Sequence, residues 1–184
     1  RCRVVFPSSA AVYGQPSNLP ICEDAPNRPL SPYGYHKLES ELVLESFGKV
    51  FGIRTVALRI FSAYGPGLHK QVVWDLLGKI AIGEVVTVEG TGRESRDFIY
   101  GEDVARAALH VAELAEPEPV YNLATGVETT IGALVELLLR ELGTERQIVF
   151  TNSSPPGVPR NWCADISRIE RTGWRRIGVA APAC

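Results

Sequence analysis

Tyr33 and Lys37 are the first residues in this sequence whose types and spacing could support catalysis. Residues four apart on a helix project from the same face, one turn from each other. An ammonium group beside a phenol favours the phenolate, which can take a proton from a substrate hydroxyl. The pair therefore predicts a proton shuttle, and the alternative is an exposed helical pair with no catalytic role.

Two serines upstream of this pair could add a hydroxyl to the same site. Ser8 and Ser9 follow an apolar run at residues 4–6, which predicts a β-strand. Open α/β sheets bind their ligands at the carboxyl ends of parallel strands. A serine hydroxyl at that edge could bridge a substrate oxygen and Tyr33. In the alternative interpretation, the two serines only satisfy backbone groups at a turn.

A helix between two strands must position these side chains. Ser31 and Pro32 are typical of a helix start, and Gly52 is typical of a helix end. Residues 53–60 are largely apolar and β-branched, so they predict a buried strand. The order strand, helix, strand predicts a parallel βαβ unit. Apolar residues recur at helical spacing within the helix: Leu38, Leu42, Val43, Phe47 and Val50.

The rest of the chain predicts a smaller α+β lobe, which starts at about residue 67. Helical periodicity occurs at residues 72–80, 102–111 and 131–142, and short β-rich runs occur at residues 85–88 and 95–99. Residues 120–123 could return as a strand to the main sheet. The sequence contains no internal repeat and no low-complexity tract.

Composition and charge exclude several classes of function. Nineteen basic and 21 acidic side chains nearly cancel, and no basic run could follow a phosphate backbone, so nucleic acid is an unsuitable partner. No signal-peptide pattern is present, and no apolar run approaches the roughly 20 residues of a membrane span. We therefore expect a soluble, cytoplasmic protein with no membrane partner.

Cysteine and histidine give no indication of disulfides or metal ligands. The four cysteines form no C-x-x-C pair and are expected to be free thiols: Cys2, Cys22, Cys163 and Cys184. The three histidines have no second ligand at the spacing of a metal site: His36, His69 and His110. We expect the histidines to lie at the surface and predict no metal site.

Five segments occur in a characteristic order: FPSSAAVYG (6–14), SPYGYHK (31–37), LRIFSAYGPG (58–67), RDFIY (96–100) and YNLATG (121–126). Their order and spacing resemble landmarks of the extended short-chain dehydrogenase/reductase family, in particular its NAD-dependent epimerases and dehydratases, typified by UDP-glucose 4-epimerase. The resemblance runs from the first strand to about Trp174, and it implies the carboxyl-terminal portion of such a protein.

This resemblance implies an α/β fold made of the second half of a Rossmann-type parallel sheet and a smaller α+β substrate-binding lobe. Residues 1–66 would be the carboxyl-terminal part of the NAD-binding domain. Residues 67–184 would be mainly the lobe, with segments that could return to the core.

The resemblance also implies catalytic roles. Tyr33 would be the acid/base on the sugar hydroxyl, Lys37 would hold the nicotinamide ribose of NAD and favour the phenolate, and Ser9 would hydrogen-bond the reacting oxygen. Ser8 is the second candidate for that serine. An epimerase of this family oxidises a nucleotide sugar to a keto-sugar and then reduces it on the other face.

Four further residues are expected in the cofactor and substrate sites. By resemblance, Phe61 would lie near NAD and Arg96 would meet the diphosphate of the nucleotide sugar, which suits a bidentate guanidinium group. Ser62 stands where many relatives place a substrate-binding asparagine, and Arg160 would be a further diphosphate ligand by its position in the family pattern. In the alternative interpretation, Arg96 only pairs with Asp97.

Alternative functions stay open, both among the enzymes of this family and among proteins that are not enzymes. Dehydratases usually carry acidic residues at the positions of residues 10–12, which are Ala-Ala-Val here, so an epimerase is preferred over a dehydratase or reductase. A non-catalytic binding or assembly module is the alternative of another class. Asp103 and Asn122 are expected to be structural.

The sequence contains no Gly-x-x-Gly-x-x-Gly run, which in this family binds the dinucleotide pyrophosphate. The chain starts within a strand, so we expect that it begins inside a domain and that the glycine loop lies upstream of Arg1. The isolated chain is therefore expected to bind NAD poorly and to be inactive. The complete protein is expected to form a homodimer through the helix that begins at Ser31.

Overall fold

The structure, a computed structural model, describes residues 3–153 and 157–177, which form eight strands and five α-helices within those ranges. In chain order these elements are β1 (Arg3–Ser9), α1 (Pro32–Phe51), β2 (Arg54–Ile60), β3 (Ser62–Tyr64), α2 (Gln71–Ile82), β4 (Val85–Val88), β5 (Ser95–Tyr100), α3 (Gly101–Glu113), β6 (Val120–Leu123), β7 (Glu128–Thr130), α4 (Ile131–Glu141), β8 (Gln147–Phe150) and α5 (Ser167–Glu170). A short 3-10 helix, Ala10–Val12, follows β1 directly.

The main sheet consists of three parallel strands in the order β1, β2, β6. Ser9 lies opposite Ile60, and Ile60 lies opposite Leu123, so the carboxyl ends of all three strands meet at one edge. The parallel βαβ unit predicted from the sequence is therefore present. The segment at residues 120–123 also returns to the main sheet.

Helix α1 has the ends that its sequence predicts. The Ser31 hydroxyl accepts a hydrogen bond from the Gly34 backbone N–H at 3.2 Å, which satisfies a donor of the first turn. At the other end Gly52 has a φ of 63°, a left-handed conformation that favours glycine, and its N–H donates to the Gly48 carbonyl.

Helices cover both faces of the main sheet. Side chains alternate along β2, so that Leu58 packs in the apolar cluster under α3 and α5, and Arg59 contacts α1. The first turn of α1 lies against the 3-10 helix at Gly34, where a Cβ atom would come within 2.6 Å of the Ala11 carbonyl oxygen. Only glycine permits this close approach.

Two smaller sheets extend from the main sheet. In the first, β5 pairs in parallel with β3 and antiparallel with β7, and in the second β4 pairs in parallel with β8. An apolar cluster joins α2 and α4 to the second pair: Leu76, Ile80, Val86, Val88, Ile131, Leu134 and Val135.

Strand β6 belongs to the main sheet, and α3 and α5 pack on that sheet, although all three follow residue 67. The lobe and the core therefore alternate along the chain. The division of the chain at residue 66 stays a prediction. Within residues 3–153 and 157–177, no helix is both long enough and apolar enough to cross a membrane.

Candidate active site

Lys37 connects the first turns of α1 to the end of β1. Its ammonium group donates a hydrogen bond to the Pro7 carbonyl at 2.7 Å and lies 4.9 Å from the centroid of the Phe6 ring. The same nitrogen is 5.7 Å from the centroid of the Tyr33 ring. Tyr33 is 57% exposed, so a molecule bound at this edge of the sheet can reach its side chain. The structure thus brings the predicted Tyr33 and Lys37 pair together at the carboxyl end of β1.

The two serines at the end of β1 have different environments. Ser8 is buried, and its hydroxyl donates to the carboxylate of Glu41. Ser9 is half-buried and its hydroxyl accepts a hydrogen bond from the Ala11 N–H at 3.2 Å, which leaves the hydroxyl proton for donation. This difference favours Ser9 as the serine that contacts a ligand, and the assignment stays a prediction.

Phe61 lies in the interior at the carboxyl edge of the sheet. It is buried, and its ring centroid is 6.4 Å from that of Tyr13 and 6.0 Å from that of Trp162. Ser62 is half-buried at the start of β3, where it pairs with Phe98 of β5. The proposed contacts of Phe61 with NAD and of Ser62 with a substrate stay predictions.

Arg96 is oriented by an aromatic ring and two carbonyl groups. Its guanidinium carbon lies 5.5 Å from the centroid of the Trp162 ring. One guanidinium nitrogen donates to the carbonyl groups of Ser95, at 2.6 Å, and Arg160, at 3.0 Å. Burial lowers the pKa of Arg96 from its ordinary value, and the nearby Glu94 carboxylate partly offsets that effect. The structure therefore brings Arg96 next to the backbone of Arg160.

Arg96 and Asp97 form no ion pair in the described residues, so this alternative interpretation is wrong. Asp97 is fully buried and accepts hydrogen bonds from Thr125, through both its N–H and its hydroxyl, and from the N–H groups of Gly126 and Ala164. Burial raises the pKa of Asp97, and these hydrogen bonds oppose the increase. Adjacent strand residues point to opposite faces, which separates the two side chains.

Arg160 is exposed, and its backbone rather than its side chain is built into the site. Its N–H donates to the side-chain oxygen of Gln15 at 2.7 Å, and its carbonyl accepts from the N–H of Ser95 at 3.1 Å. The role of its guanidinium group as a diphosphate ligand stays a prediction.

Asn122 and Asp103 have structural contacts. Asn122 is buried in β6 and accepts from the Tyr13 hydroxyl at 2.6 Å, while its amide nitrogen donates to the Ile21 carbonyl at 2.8 Å. Burial raises the pKa of Tyr13 to about 12, so this phenol stays protonated. Asp103 is buried in the first turn of α3 and accepts from the Ile177 N–H at 2.7 Å.

The histidines do not form a metal site in the described residues. Histidine, cysteine, aspartate and glutamate side chains form no group of three or more that could hold a metal ion within residues 3–153 and 157–177. His36 and His69 are exposed, and the His69 ring stacks on Trp74. His110 is half-buried, and its ring hydrogen-bonds the Thr172 hydroxyl at 2.8 Å.

Two of the four cysteines lie in the described part of the chain, and both are free thiols. Cys22 is exposed, and Cys163 is buried. Burial, together with the Asp97 and Glu128 carboxylates, raises the pKa of Cys163 to about 11. Cys2 and Cys184 lie outside the described residues.

Three residues next to the site are not indicated by the sequence motifs. Glu41 and Arg59 form a buried ion pair at 2.8 Å directly beneath Ser8. Trp162 donates from its indole nitrogen to the Gly14 carbonyl at 3.0 Å and packs against Arg96. The spacing of Glu41, four residues after Lys37, is a signal that could have indicated a shared helix face.

The geometry at Lys37 fits the sugar end of a nicotinamide cofactor. An ammonium group carries three N–H donors. The Pro7 carbonyl occupies one of them, so further donors are left beside the exposed Tyr33 ring. A ribose hydroxyl is a suitable acceptor for such a donor.

The chain is similar to known proteins over most of its length. Residues 1–124 match the NAD dependent epimerase/dehydratase family. A putative UDP-glucose 4-epimerase from Methanocaldococcus jannaschii is 32% identical over 178 residues, which are 94% of this chain and 57% of that protein.

Two solved structures have the same fold. A UDP-N-acetylglucosamine 4-epimerase from Methanobrevibacter ruminantium matches with a TM-score of 0.87 and 33% identity, over 95% of this chain and 57% of that one. A UDP-glucuronic acid 4-epimerase from Bacillus cereus, solved with UDP-glucuronic acid and NAD, matches with a TM-score of 0.84 and 30% identity, over 91% of this chain and 54% of that one. The predicted Rossmann-like α/β fold is thus confirmed, and the chain spans little more than half the length of these relatives.

Proposed function

Because the chain belongs to the NAD-dependent epimerase/dehydratase family, we propose that it is part of a nucleotide-sugar epimerase. One observation carries the proposal. The Lys37 ammonium group is held between the Pro7 carbonyl and the exposed Tyr33 ring, at the strand end where Ser9 offers a hydroxyl. A base, a cation and a hydroxyl at one edge of a parallel sheet suit proton transfer to and from a sugar hydroxyl.

In the proposed mechanism Tyr33 takes the proton of the sugar hydroxyl while the carbon that bears it loses a hydride. A bound NAD would supply the hydride acceptor for this oxidation and the hydride donor for reduction on the other face of the keto-sugar. Lys37 would hold the ribose of the cofactor, and its positive charge lies beside the Tyr33 ring. Ser9 donates a hydrogen bond to the reacting oxygen in both directions, and Tyr33 finally gives its proton back.

The proposed diphosphate site uses Arg96 and Arg160. A guanidinium group can form two parallel hydrogen bonds to a phosphate. The planar ring of Trp162 and the carbonyl groups of Ser95 and Arg160 fix the plane of the Arg96 guanidinium, which reduces the entropy lost on binding. Ser62 would offer one hydroxyl near the same substrate.

The segment after Ser9 favours an epimerase over a dehydratase. Residues 10–12 form a 3-10 helix whose Ala10 and Val12 are buried, and the segment has no acidic side chain that could remove or donate a proton for dehydration. A dehydratase or reductase is the second candidate within the family. A non-catalytic binding module is the alternative of another class.

The proposal is tested with the longest in-frame protein that contains this chain. After expression, the protein should contain bound NAD and should convert at least one member of a panel of nucleotide sugars to its epimer. A 4-keto-6-deoxy product would show that the protein is a dehydratase and not an epimerase. If neither NAD nor turnover is found, the protein is a non-catalytic module.

A further inference from the structure

Tyr33, Lys37 and Glu41 are spaced four residues apart on α1 and therefore lie along one stripe of that helix. The first two reach the edge of the sheet, as described above. Glu41 lies one turn further along and is buried, with only 9% of its surface exposed. A buried carboxylate needs partners, because an isolated charge in the interior is strongly unfavourable.

The partners of Glu41 come from both strands that α1 covers. Arg59 of β2 donates to the carboxylate from two nitrogens, at 2.8 Å and 3.1 Å. Ser8 of β1 donates its hydroxyl to the same carboxylate. Arg59 is itself held by the Glu23 carbonyl at 3.0 Å and by the Tyr13 ring, whose centroid is 4.7 Å away.

The bond to Ser8 joins α1 to the residue before the proposed catalytic serine. Together with the bond from Lys37 to Pro7, it makes two successive connections between α1 and the end of β1. Each helical residue advances about 1.5 Å and turns the chain by about 100°. Two connections one turn apart therefore fix both the rotation of α1 and its height along β1.

We propose that Glu41 is a positioning residue, which acts through Ser8 and Arg59 to hold Tyr33 and Lys37 in register with Ser9. This inference rests on the proposed function. A buried ion pair has little net advantage for stability over apolar side chains of similar volume. If the Glu41–Arg59 pair only held the fold, such a replacement would therefore change neither stability nor turnover. A positioning role predicts loss of turnover where stability is kept.

The first test removes only the connection to β1, in the longest in-frame protein. Ser8→Ala leaves the Glu41–Arg59 ion pair intact. We expect kcat to fall by about 10- to 100-fold, as for a displacement of about 1 Å at a reacting group, with the KM for the nucleotide sugar unchanged within about twofold. Ser8→Thr restores the hydroxyl and should recover most of kcat.

The matched control is Ser46→Ala on the same helix, where an exposed hydroxyl donates to the Val43 carbonyl. It should keep the parent kcat. If Ser8→Ala also keeps the parent kcat, the positioning role is wrong.

The second test separates positioning from folding. The double variant Glu41→Leu with Arg59→Met removes both charges at nearly constant volume. We expect a melting temperature close to that of the parent and a kcat reduced at least as much as in Ser8→Ala. A double variant with both parent stability and parent kcat would overturn the inference.

A measurement that needs no turnover distinguishes this inference from the proposed function. Amide hydrogen exchange over residues 35–41 of α1 should be faster in Ser8→Ala than in Ser46→Ala. If the parent turns over no nucleotide sugar, the proposed function fails, and the exchange rates still decide the positioning claim. Equal exchange in the two variants would refute it.

Discussion

At the scale of single residues, the contacts of each polar group determine how precisely it is positioned in the candidate site. Lys37 is tied to a backbone carbonyl and lies over an aromatic ring, so the protein fixes the position of its charge. Tyr33 is largely exposed and has this cation as its neighbour. A fixed cation beside an accessible phenol is a preorganised arrangement, which stabilises developing negative charge without reorganisation.

Replacing Tyr33 with phenylalanine should abolish turnover in the complete protein and leave the fold intact, because only the phenolic oxygen is lost. General acid and base catalysis contributes about 10²- to 10⁴-fold, so we expect less than about 1% of the parent rate. Initial rates and circular dichroism measure the two effects. The control is Tyr35→Phe, since Tyr35 is 55% exposed on the same helix and should tolerate the change. Residual activity above about 1% would show that a residue other than Tyr33 is the base.

Cys163 should react with iodoacetamide far more slowly than Cys22 at pH 8. The thiolate is the reactive form, and burial raises the pKa of Cys163 to about 11. At pH 8, a pKa of about 11 in place of 9.0 lowers the thiolate fraction roughly 100-fold, and burial slows access further. Peptide mapping by mass spectrometry follows the two sites separately in one reaction. Comparable rates at the two cysteines would contradict the buried position of Cys163.

At the scale of elements, α1 carries the site on one face and an apolar surface on another. Several large apolar side chains of this helix are exposed: Leu42, Val43, Phe47, Val50 and Phe51. Phe47 and Phe51 form an aromatic pair with ring centroids 5.3 Å apart. Several large exposed apolar side chains on one helix often mark an interaction site. The proposed homodimer would bury it.

The complete protein should sediment as a dimer at high micromolar concentration, and Phe47→Glu should shift it to the monomer. A two-fold interface brings the same patch of both copies together, so one charged substitution places two like charges in it. Leu109→Glu is the matched control, because Leu109 is 69% exposed on α3. A parent protein that sediments only as a monomer would rule out the dimer.

The sequence predicted those elements whose ends and periodicity are encoded locally. Ser31 and Gly52 define the ends of α1, and both have the expected conformations. The strands β3 and β7 have only three residues each, too short for a period of two to be recognised.

Contacts between distant residues could not be predicted from spacing. Glu41 and Arg59 belong to different elements, and Arg96 and Trp162 are 66 positions apart in the chain, so only the fold brings each pair together. The five ordered motifs supplied the candidate site through resemblance, and its roles stay predictions.

At the scale of the whole molecule, the chain spans little more than half of the relatives that it matches. Strand β1 forms one edge of the main sheet in the described structure, and the Tyr33–Lys37 pair lies at its end. The residues proposed for the cofactor, Tyr33 and Lys37, would contact its nicotinamide end. The pyrophosphate is usually held by a glycine loop at a helix start, a motif that this sequence does not contain.

This chain alone should neither bind NAD tightly nor transfer hydride. Losing several charge-assisted hydrogen bonds, at about 1.5–3 kcal/mol each, should weaken binding by orders of magnitude. Calorimetric titration of the isolated chain with NAD is the direct test, and the longest in-frame protein titrated in parallel is the control. A dissociation constant in the low micromolar range or tighter for the chain alone would show that the cofactor site is misplaced.

The position of β6 in the main sheet has a consequence for the order of events during synthesis. The strands β1 and β2 are neighbours in the chain apart from α1, but β6 starts roughly 60 residues after β2 ends. At about 5–20 residues per second, translation leaves the outer edge of β2 without its partner for about 3–12 s. An unpaired edge is a template for pairing with other chains. Ribosome-bound chains arrested before residue 120 should therefore be more sensitive to protease within β2 than chains arrested well beyond residue 123, and equal sensitivity would contradict this order.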